Sequence, residues 1–296
     1  MNHPEERGAS TGDYLLALPQ YLLPHHALSR VVLKATRLRI RWWKNFLIRT
    51  ISRHYGIDLA EAADPDPKAY ACFNDFFTRA LKPGARPLDP DPQAVLSPVD
   101  GRVSQAGTIS GERIFQAKGR EFSLLELLGG DEESAAAFRD GRFATLYLSP
   151  RDYHRIHMPV EGRLRRTIYV PGRLFSVAPG TVRAVPRLFA RNERLAAIFD
   201  TPAGPMGLVA VGALFVSCIE TVWSGVETPP HGHRVRIRDY PEEGPESVRL
   251  DRGAELGRFN MGSTVILLFP RDSVTWDADT RAGATVRMGR RLGVLG

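Results

Sequence analysis

The chain has 296 residues, 43% of them apolar and 25% charged, a balance that argues against a disordered or fibrous polypeptide and leaves enough apolar sequence for a sizeable core. Forty Lys and Arg stand against 33 Asp and Glu, and the formal net charge of +7 points to an anionic partner. Only Cys72 and Cys218 are present, without C-x-x-C spacing, which disfavours a disulfide framework, a zinc knuckle or a thioredoxin-like site and suits a reducing compartment.

The polar start, MNHPEERGASTGD, lacks the basic-then-apolar layout of a signal peptide, and nowhere do 18 apolar residues run together. The expectation is a protein made and kept in the cytosol. Next comes YLLALPQYLLP, a short apolar piece that Pro19 and Pro24 keep from forming one long helix. From Asp13 to Asp58 there is no acidic residue, yet Arg30, Lys34, Arg37, Arg39, Arg41, Lys44, Arg49 and Arg53 all fall inside that window. Arg30, Lys34, Arg37, Arg41 and Lys44 follow one another at steps of 4, 3, 4 and 3, which places them on one face of a helix. Leu28, Val31, Val32, Ala35, Leu38, Trp42 and Phe46 take the other face, with Arg39 as an exception. A basic amphipathic helix carrying the pair Trp42 and Trp43 suits the headgroup region of an anionic bilayer. The alternative is an apolar stripe packed on the protein's own core beneath a solvated basic face. No nucleic-acid-reading motif accompanies the charge, so nucleic acid is not expected as a partner.

After residue 60, glycine and proline breaks become dense and leave room mainly for short strands. The pattern predicts strands at 144–149, 166–170, 195–200, 208–223, 235–240 and 263–269. The last is nearly all apolar and is expected to be buried on both faces. SLLELL at 123–128 and EESAAAFRD at 132–140, closed by Gly141, are the only helices expected in this part. The fold class read from this is α+β: a helical, membrane-associating amino-terminal region, residues 1–80, followed by a mostly antiparallel β-sandwich-like domain, residues 81–296.

Several residues invite chemistry, and each has an ordinary alternative. His154 and His157 form an H-x-x-H pair that is half a metal site at most, two structural histidines, or a general base with an unperturbed pKa of about 6.5. Asp100, in SPVDGRV, sits in a turn where Asp commonly bonds its own backbone. Ser263 follows Gly262 at a strand start, with no G-x-S-x-G elbow.

The text around these residues is more specific. LSPVDGRV, YLSPRDYHRIHMPVEG, the stretch from LFSVAP through VPRLFARNERLAAIFDT, VGALFVSCIETVWSG and FNMGSTVILLF closely resemble, in that order, the bacterial phosphatidylserine decarboxylases. The match runs from about residue 70 to 270, and the basic amphipathic start also suits the family. Met261 departs from the usual Leu before Gly-Ser-Thr, a swap of similar volume that should not impair processing.

The resemblance implies an inactive proenzyme that cuts itself between Gly262 and Ser263 into a β chain, 1–262, and an α chain, 263–296. It maps a triad onto Asp100, His157 and Ser263. His157 would take the Ser263 hydroxyl proton, Asp100 would hold the imidazole tautomer, and the serine oxygen would attack the Gly262 carbonyl. Elimination would then leave a pyruvoyl group derived from Ser263 as the cofactor, with no pyridoxal phosphate and no metal. That group would form a Schiff base with phosphatidylserine and accept the electron pair on carbon dioxide loss, giving phosphatidylethanolamine. His154 is implied as a second-stage proton-transfer group. Expected partners are phosphatidylserine, the anionic membrane surface bound through Arg30, Lys34, Arg37, Arg41, Lys44, Trp42 and Trp43, the two processed chains, and a second copy in a homodimer. The expected place is the cytoplasmic face of the inner membrane, held peripherally. Alternatives are a serine hydrolase using Asp100, His157 and Ser263, a non-enzymatic membrane-binding module, and a pyruvoyl decarboxylase of a soluble amino acid.

Overall fold

The structure, a computed structural model, describes residues 8–215, 218–228, 232–260 and 263–296, with the backbone alone at Ser263. The chain opens with α1 (Thr11–Ala17), a 3-10 turn over Leu18–Tyr21, α2 (His25–Arg37), α3 (Arg41–Tyr55) and α4 (Phe73–Phe77). Ser10 and Asp13 form a capping box at the start of α1. Asp13 also receives two hydrogen bonds from Arg183, which tie this first turn to the sheet region and hold its carboxyl below the usual range.

The single basic helix expected from the charge spacing is two helices. Leu38 and Ile40 are extended, so the stripe breaks between Arg37 and Arg41. No Gly or Pro marks the break. It is closed by a tertiary contact instead: the Trp43 indole N–H donates to the Ala35 carbonyl at 2.8 Å, satisfying one of the acceptors that α2 leaves open at its end. The break also resets the helical phase. Lys44, expected on the exposed basic face, is 5% exposed and donates to the Asn45 side chain and the Lys68 carbonyl, so it is withdrawn from that face. Nor does the apolar stripe pack inward. α2 buries His25, Ser29 and Thr36, whereas Leu16 (70% exposed), Leu22 (89%), Val31 (65%) and Trp42 (70%) face outward.

Beyond the helices come β1 (Ala94–Leu96), β2 (Gly101–Thr108), β3 (Arg113–Ala117), β4 (Arg120–Ser123), α5 (Leu124–Leu127) and α6 (Glu132–Ala137). The middle holds β5 (Arg142–Leu148), β6 (Arg155–His157), β7 (Gly162–Val170), α7 (Pro179–Ala184), α8 (Leu188–Arg191), β8 (Arg194–Thr201) and β9 (Gly204–Val211). Then follow β10 (Ile219–Thr221), β11 (Gly225–Val226), β12 (Arg236–Asp239), β13 (Arg249–Leu250) and β14 (Glu255–Phe259). Last are β15 (Ser263–Phe269), β16 (Val274–Trp276), β17 (Thr285–Val286) and β18 (Arg291–Leu295). This is an α+β protein with antiparallel strand pairing, as the sequence predicts.

Nine strands form the main sheet in the order β12-β7-β8-β9-β15-β5-β2-β17, with β13 also on β7. β15 lies between β9 and β5, and its side chains alternate between two cores. Ile266 and Leu268 enter one; Val265, Leu267 and Phe269 enter the other. That alternation is the physical meaning of the nearly continuous apolar run, buried on both faces. Residues of α5–α8 and of the β3–β4 hairpin join the first core. Two smaller sheets, β11-β10-β14-β6 and β1-β18-β16, contribute to the second, which gives this side its sandwich-like layering.

Two local expectations need correction. The stretch 208–223 is not one strand: β9 ends at Val211 in the main sheet and β10 belongs to a smaller one, while residues 216–217 lie outside the described set. α7 and α8 were not expected either. The proline in VAPG reads as a breaker, yet Pro179 opens α7, where its missing N–H costs no helical bond.

Candidate active site

β5 organises the site. At its end, Tyr147 pairs with Arg102 of β2 on one side and Leu148 pairs with Ser263 of β15 on the other. Asp100 immediately precedes β2, so it and Ser263 sit at strand starts flanking one strand end. Gly101 permits this close approach, because a Cβ there would fall 2.2 Å from the Tyr147 carbonyl oxygen.

The two histidines lie on the segment that leaves β5. Asp152 folds its first turn by accepting from both the backbone N–H and the hydroxyl of Ser149, each at 2.7 Å. β6 then pairs with β14, and the Phe259 N–H donates to the His154 carbonyl at 3.1 Å. The histidine segment is therefore paired through β5 to the strand after residues 261–262 and through β6 to the strand before them. Met261 and Gly262 themselves, and the Ser263 side chain, lie outside the described set.

His157 is mostly buried, and burial lowers its pKa, with partial offset from the Gly253 carbonyl and the charges of Glu255 and Asp100. The ring is thus neutral at pH 7. Its Nδ1 lies 2.9 Å from the Gly253 carbonyl oxygen, which can only accept, so Nδ1 carries the proton and Nε2 presents a lone pair. That lone pair receives the Tyr153 hydroxyl at 3.1 Å; burial pushes the Tyr153 pKa up to about 12, which keeps the phenol protonated. The tautomer a general base needs is consequently fixed by a backbone carbonyl.

Asp100 does not touch His157. Arg86 grips its carboxylate with Nε at 2.9 and 3.1 Å and Nη2 at 2.5 Å, and the Met288 N–H adds a bond of 2.9 Å. Glu61 takes Nη1 of the same guanidinium at 2.8 Å. The atom that holds the His157 Nδ1 proton is thus the Gly253 carbonyl oxygen, and the Asp100 charge raises the His157 pKa without a hydrogen bond to it.

His154 is fully buried, its ring centroid 4.1 Å from that of Phe77, and burial pulls its pKa down to about 3. Nδ1 donates to the Asp152 carbonyl at 2.8 Å, which leaves Nε2 as an unprotonated acceptor without a donor. Burial and the nearby Arg79 charge keep this ring neutral, so its open Nε2 is a hydrogen-bond acceptor that resists protonation. A polar relay that the sequence did not flag lies beside the same junction: Asn74 donates to Asn260 at 2.9 Å, and Asn260 donates to Glu220 at 2.8 Å. Arg37, assigned to the basic face, reaches Glu220 at 3.1 Å. Such links, like Arg86 to Asp100, span too much sequence to leave a local signal.

Of the other basic-face residues, Arg30, Lys34 and Arg41 are exposed, Trp42 is exposed and Trp43 is half-buried. Among the described residues no group of three or more His, Cys, Asp or Glu is arranged to hold a metal. No described helix is long and apolar enough to cross a membrane.

The described residues thus bring a histidine pair and a gripped aspartate to the end of a mostly antiparallel sheet at which β15 starts. Residues 73–294 match the family model described as phosphatidylserine decarboxylase, and residues 15–56 match a second one described as PSD. The chain belongs to the phosphatidylserine decarboxylase family. It is 56% identical over 281 residues to the phosphatidylserine decarboxylase proenzyme of Azotobacter vinelandii, covering 95% of this chain and 98% of that one. The proenzymes of Pseudomonas fluorescens (55% identity, 95% and 97% coverage) and Methylococcus capsulatus (56%, 94% and 96%) are similarly close.

Proposed function

We propose that the chain is a self-processing phosphatidylserine decarboxylase that cuts itself between Gly262 and Ser263 and converts phosphatidylserine to phosphatidylethanolamine. The observation that carries this reading is the histidine segment paired to both strands that flank the junction, in a chain whose near-full-length relatives are named proenzymes.

In the cutting step the Nε2 lone pair of His157 takes the Ser263 hydroxyl proton, with the Tyr153 hydroxyl giving way, and the serine oxygen attacks the Gly262 carbonyl, so that the Gly262–Ser263 C–N bond breaks as an ester forms. Loss of the serine α-proton then expels the Gly262 carboxylate, and water hydrolyses the resulting dehydroalanine to a ketone and ammonia. Asp100, held by Arg86, favours the protonated ring through its negative charge. The start of β15 suits a new chain terminus, because the rest of that strand is paired on both sides and stays seated after cleavage. When formed there from Ser263, a pyruvoyl group supplies a carbonyl electron sink for loss of carbon dioxide. The proton that replaces carbon dioxide comes from water, and His154, held neutral by burial, offers its Nε2 lone pair to orient that water rather than carrying the charge itself.

The substrate is a membrane lipid, and the outward apolar side chains of α1–α3, with Arg30, Lys34 and Arg41 exposed beside them, support peripheral docking on the anionic cytoplasmic leaflet. Intact-mass spectrometry of the wild type and Ser263→Ala, with carbon dioxide release from phosphatidylserine vesicles, tests the reading. Expected are chains 1–262 and 263–296, the latter with a blocked amino terminus, in the wild type alone. A single uncut wild-type chain that reacts with fluorophosphonate would overturn self-processing in favour of a serine hydrolase.

A further inference from the structure

Among the described residues Arg79 and Arg194 are buried and the Arg86 side chain is nearly so, and two of these three are fully spent. Arg194 gives all three of its nitrogens to the backbone carbonyls of Leu127, Asn192 and Glu126. Arg86 divides its donors among Asp100, Glu61 and the Ala85 carbonyl. Arg79 is different. Its side chain is just as hidden, at 5% exposure for the residue, yet only Nη2 has an acceptor, the Arg151 carbonyl at 3.2 Å. Nε and Nη1 are buried with no hydrogen-bond partner, and the Phe76 ring, 5.6 Å from Cζ, offers only its face. A buried guanidinium with one edge unpaired is costly, and the fold has shown at Arg194 that it can satisfy such a group without any carboxylate.

Its position gives the unpaired edge a use. Arg79 lines a cleft of about 850 Å³ together with Arg86, Asp100, Tyr147, Ser149 and Tyr153. Tyr147 directly precedes the residue paired with Ser263, and Arg79 is two residues from Phe77, on which the His154 ring lies. Its positive charge is also felt at His154, where it helps keep the ring neutral. Several other charged groups on this wall already have partners, Asp100 with Arg86, Glu61 with Arg86 and Arg287, and Asp152 with the Ser149 hydroxyl, while Arg102 lies exposed.

We propose that Arg79 is the anion anchor of the substrate site, its Nε and Nη1 edge receiving an anionic oxygen of the lipid headgroup, from the phosphodiester or the carboxylate. The inference rests on the reading of this chain as a phosphatidylserine decarboxylase and adds to it the residue that recognises the headgroup. A guanidinium edge offers two parallel N–H donors, which is the geometry that phosphate and carboxylate oxygens share.

The test uses the processed enzyme, short-chain phosphatidylserine, and two soluble competitors: glycerophosphoethanolamine, which has the phosphate without the carboxylate, and serine, which has the reverse. Arg79→Met should raise KM about 10- to 100-fold while kcat changes by less than about threefold, the scale of one lost charge-assisted contact. Arg79→Lys, which keeps the charge, should recover part of the loss. If the anchored oxygen is the phosphate's, the inhibition constant of glycerophosphoethanolamine rises in parallel; if the carboxylate's, only that of serine rises. An unchanged KM, or a fall in kcat alone, overturns the proposal. Wild-type turnover of phosphatidylserine tests the underlying reading separately from these ratios. Should neither variant mature, a structure of the processed wild type with glycerophosphoethanolamine or serine decides the matter, since both anions seated away from Arg79 would overturn it.

Discussion

The amino-terminal helices and the main sheet solve opposite problems with the same amino acids. In the sheet, β15 sends every apolar side chain from Val265 to Phe269 into one of two cores and leaves none in water. On the outer side of the helices the arrangement is inverted: α2 buries His25, Ser29 and Thr36, and Leu16, Leu22, Val31 and Trp42 point away from the protein. An apolar side chain buried in the sheet, like Ile48 of α3 against Phe73 and Phe76, contributes to folding, whereas the outward-facing ones of α1–α3 gain nothing from it. The polar grip of α2 is specific. The Leu174 N–H donates to His25 Nδ1 at 3.1 Å, and His26 Nε2 lies 2.8 Å from the Gly172 carbonyl. Docking by hydrogen bonds on one side releases the apolar face on the other.

Stability measurements on the uncut Ser263→Ala chain sharpen this contrast. Leu267→Ala, in the centre of β15, should cost about 3 kcal/mol in urea unfolding, with a cavity in the second core. Acid comes next in size. Burial pulls the His154 pKa down to about 3 in the folded chain, against about 6.5 for an ordinary imidazole, so the unfolded chain binds the proton first. Stability is complete above about pH 6.5 and falls progressively as the pH drops toward 3, and His154→Gln should flatten that limb of the stability profile. His25→Ala removes the acceptor of a buried N–H and should cost about 1–2 kcal/mol, with faster amide exchange in α2. The triple change of Leu22, Trp42 and Phe46 to Gln should alter unfolding by no more than about 0.5 kcal/mol. The same variant should lose most of its sedimentation with anionic vesicles. If instead it unfolds as readily as Leu267→Ala, the outward face is a folding surface and the contrast collapses.

Much of the site was legible in the sequence because its segments are contiguous and long. YLSPRDYHRIHMPVEG carries the end of β5, both histidines and Tyr153, and FNMGSTVILLF carries the junction and β15. What connected these segments was not legible. Asp100 reads as the partner of an imidazole, and the residue that holds it, Arg86, lies in a loop with nothing to mark it. Gly253 fixes the His157 tautomer with a backbone carbonyl, an atom every residue possesses and no motif can encode.

Sequence alone determined the α+β class, the strand buried on both faces, the long acid-free basic stretch and the candidate histidine, aspartate and serine positions. Each of these follows from local order, through side-chain periodicity, composition or an unbroken run of specific residues. Tertiary structure decided where the basic helix breaks, that Lys44 turns inward, that the apolar face of α2 turns outward, and that Arg79 keeps two donors unpaired. Those outcomes depend on which distant group arrives to satisfy a hydrogen bond or to exclude water, as Trp43 does for Ala35 and Arg86 for Asp100, and a satisfied or orphaned polar atom is a property of the assembled neighbourhood rather than of the residue that carries it.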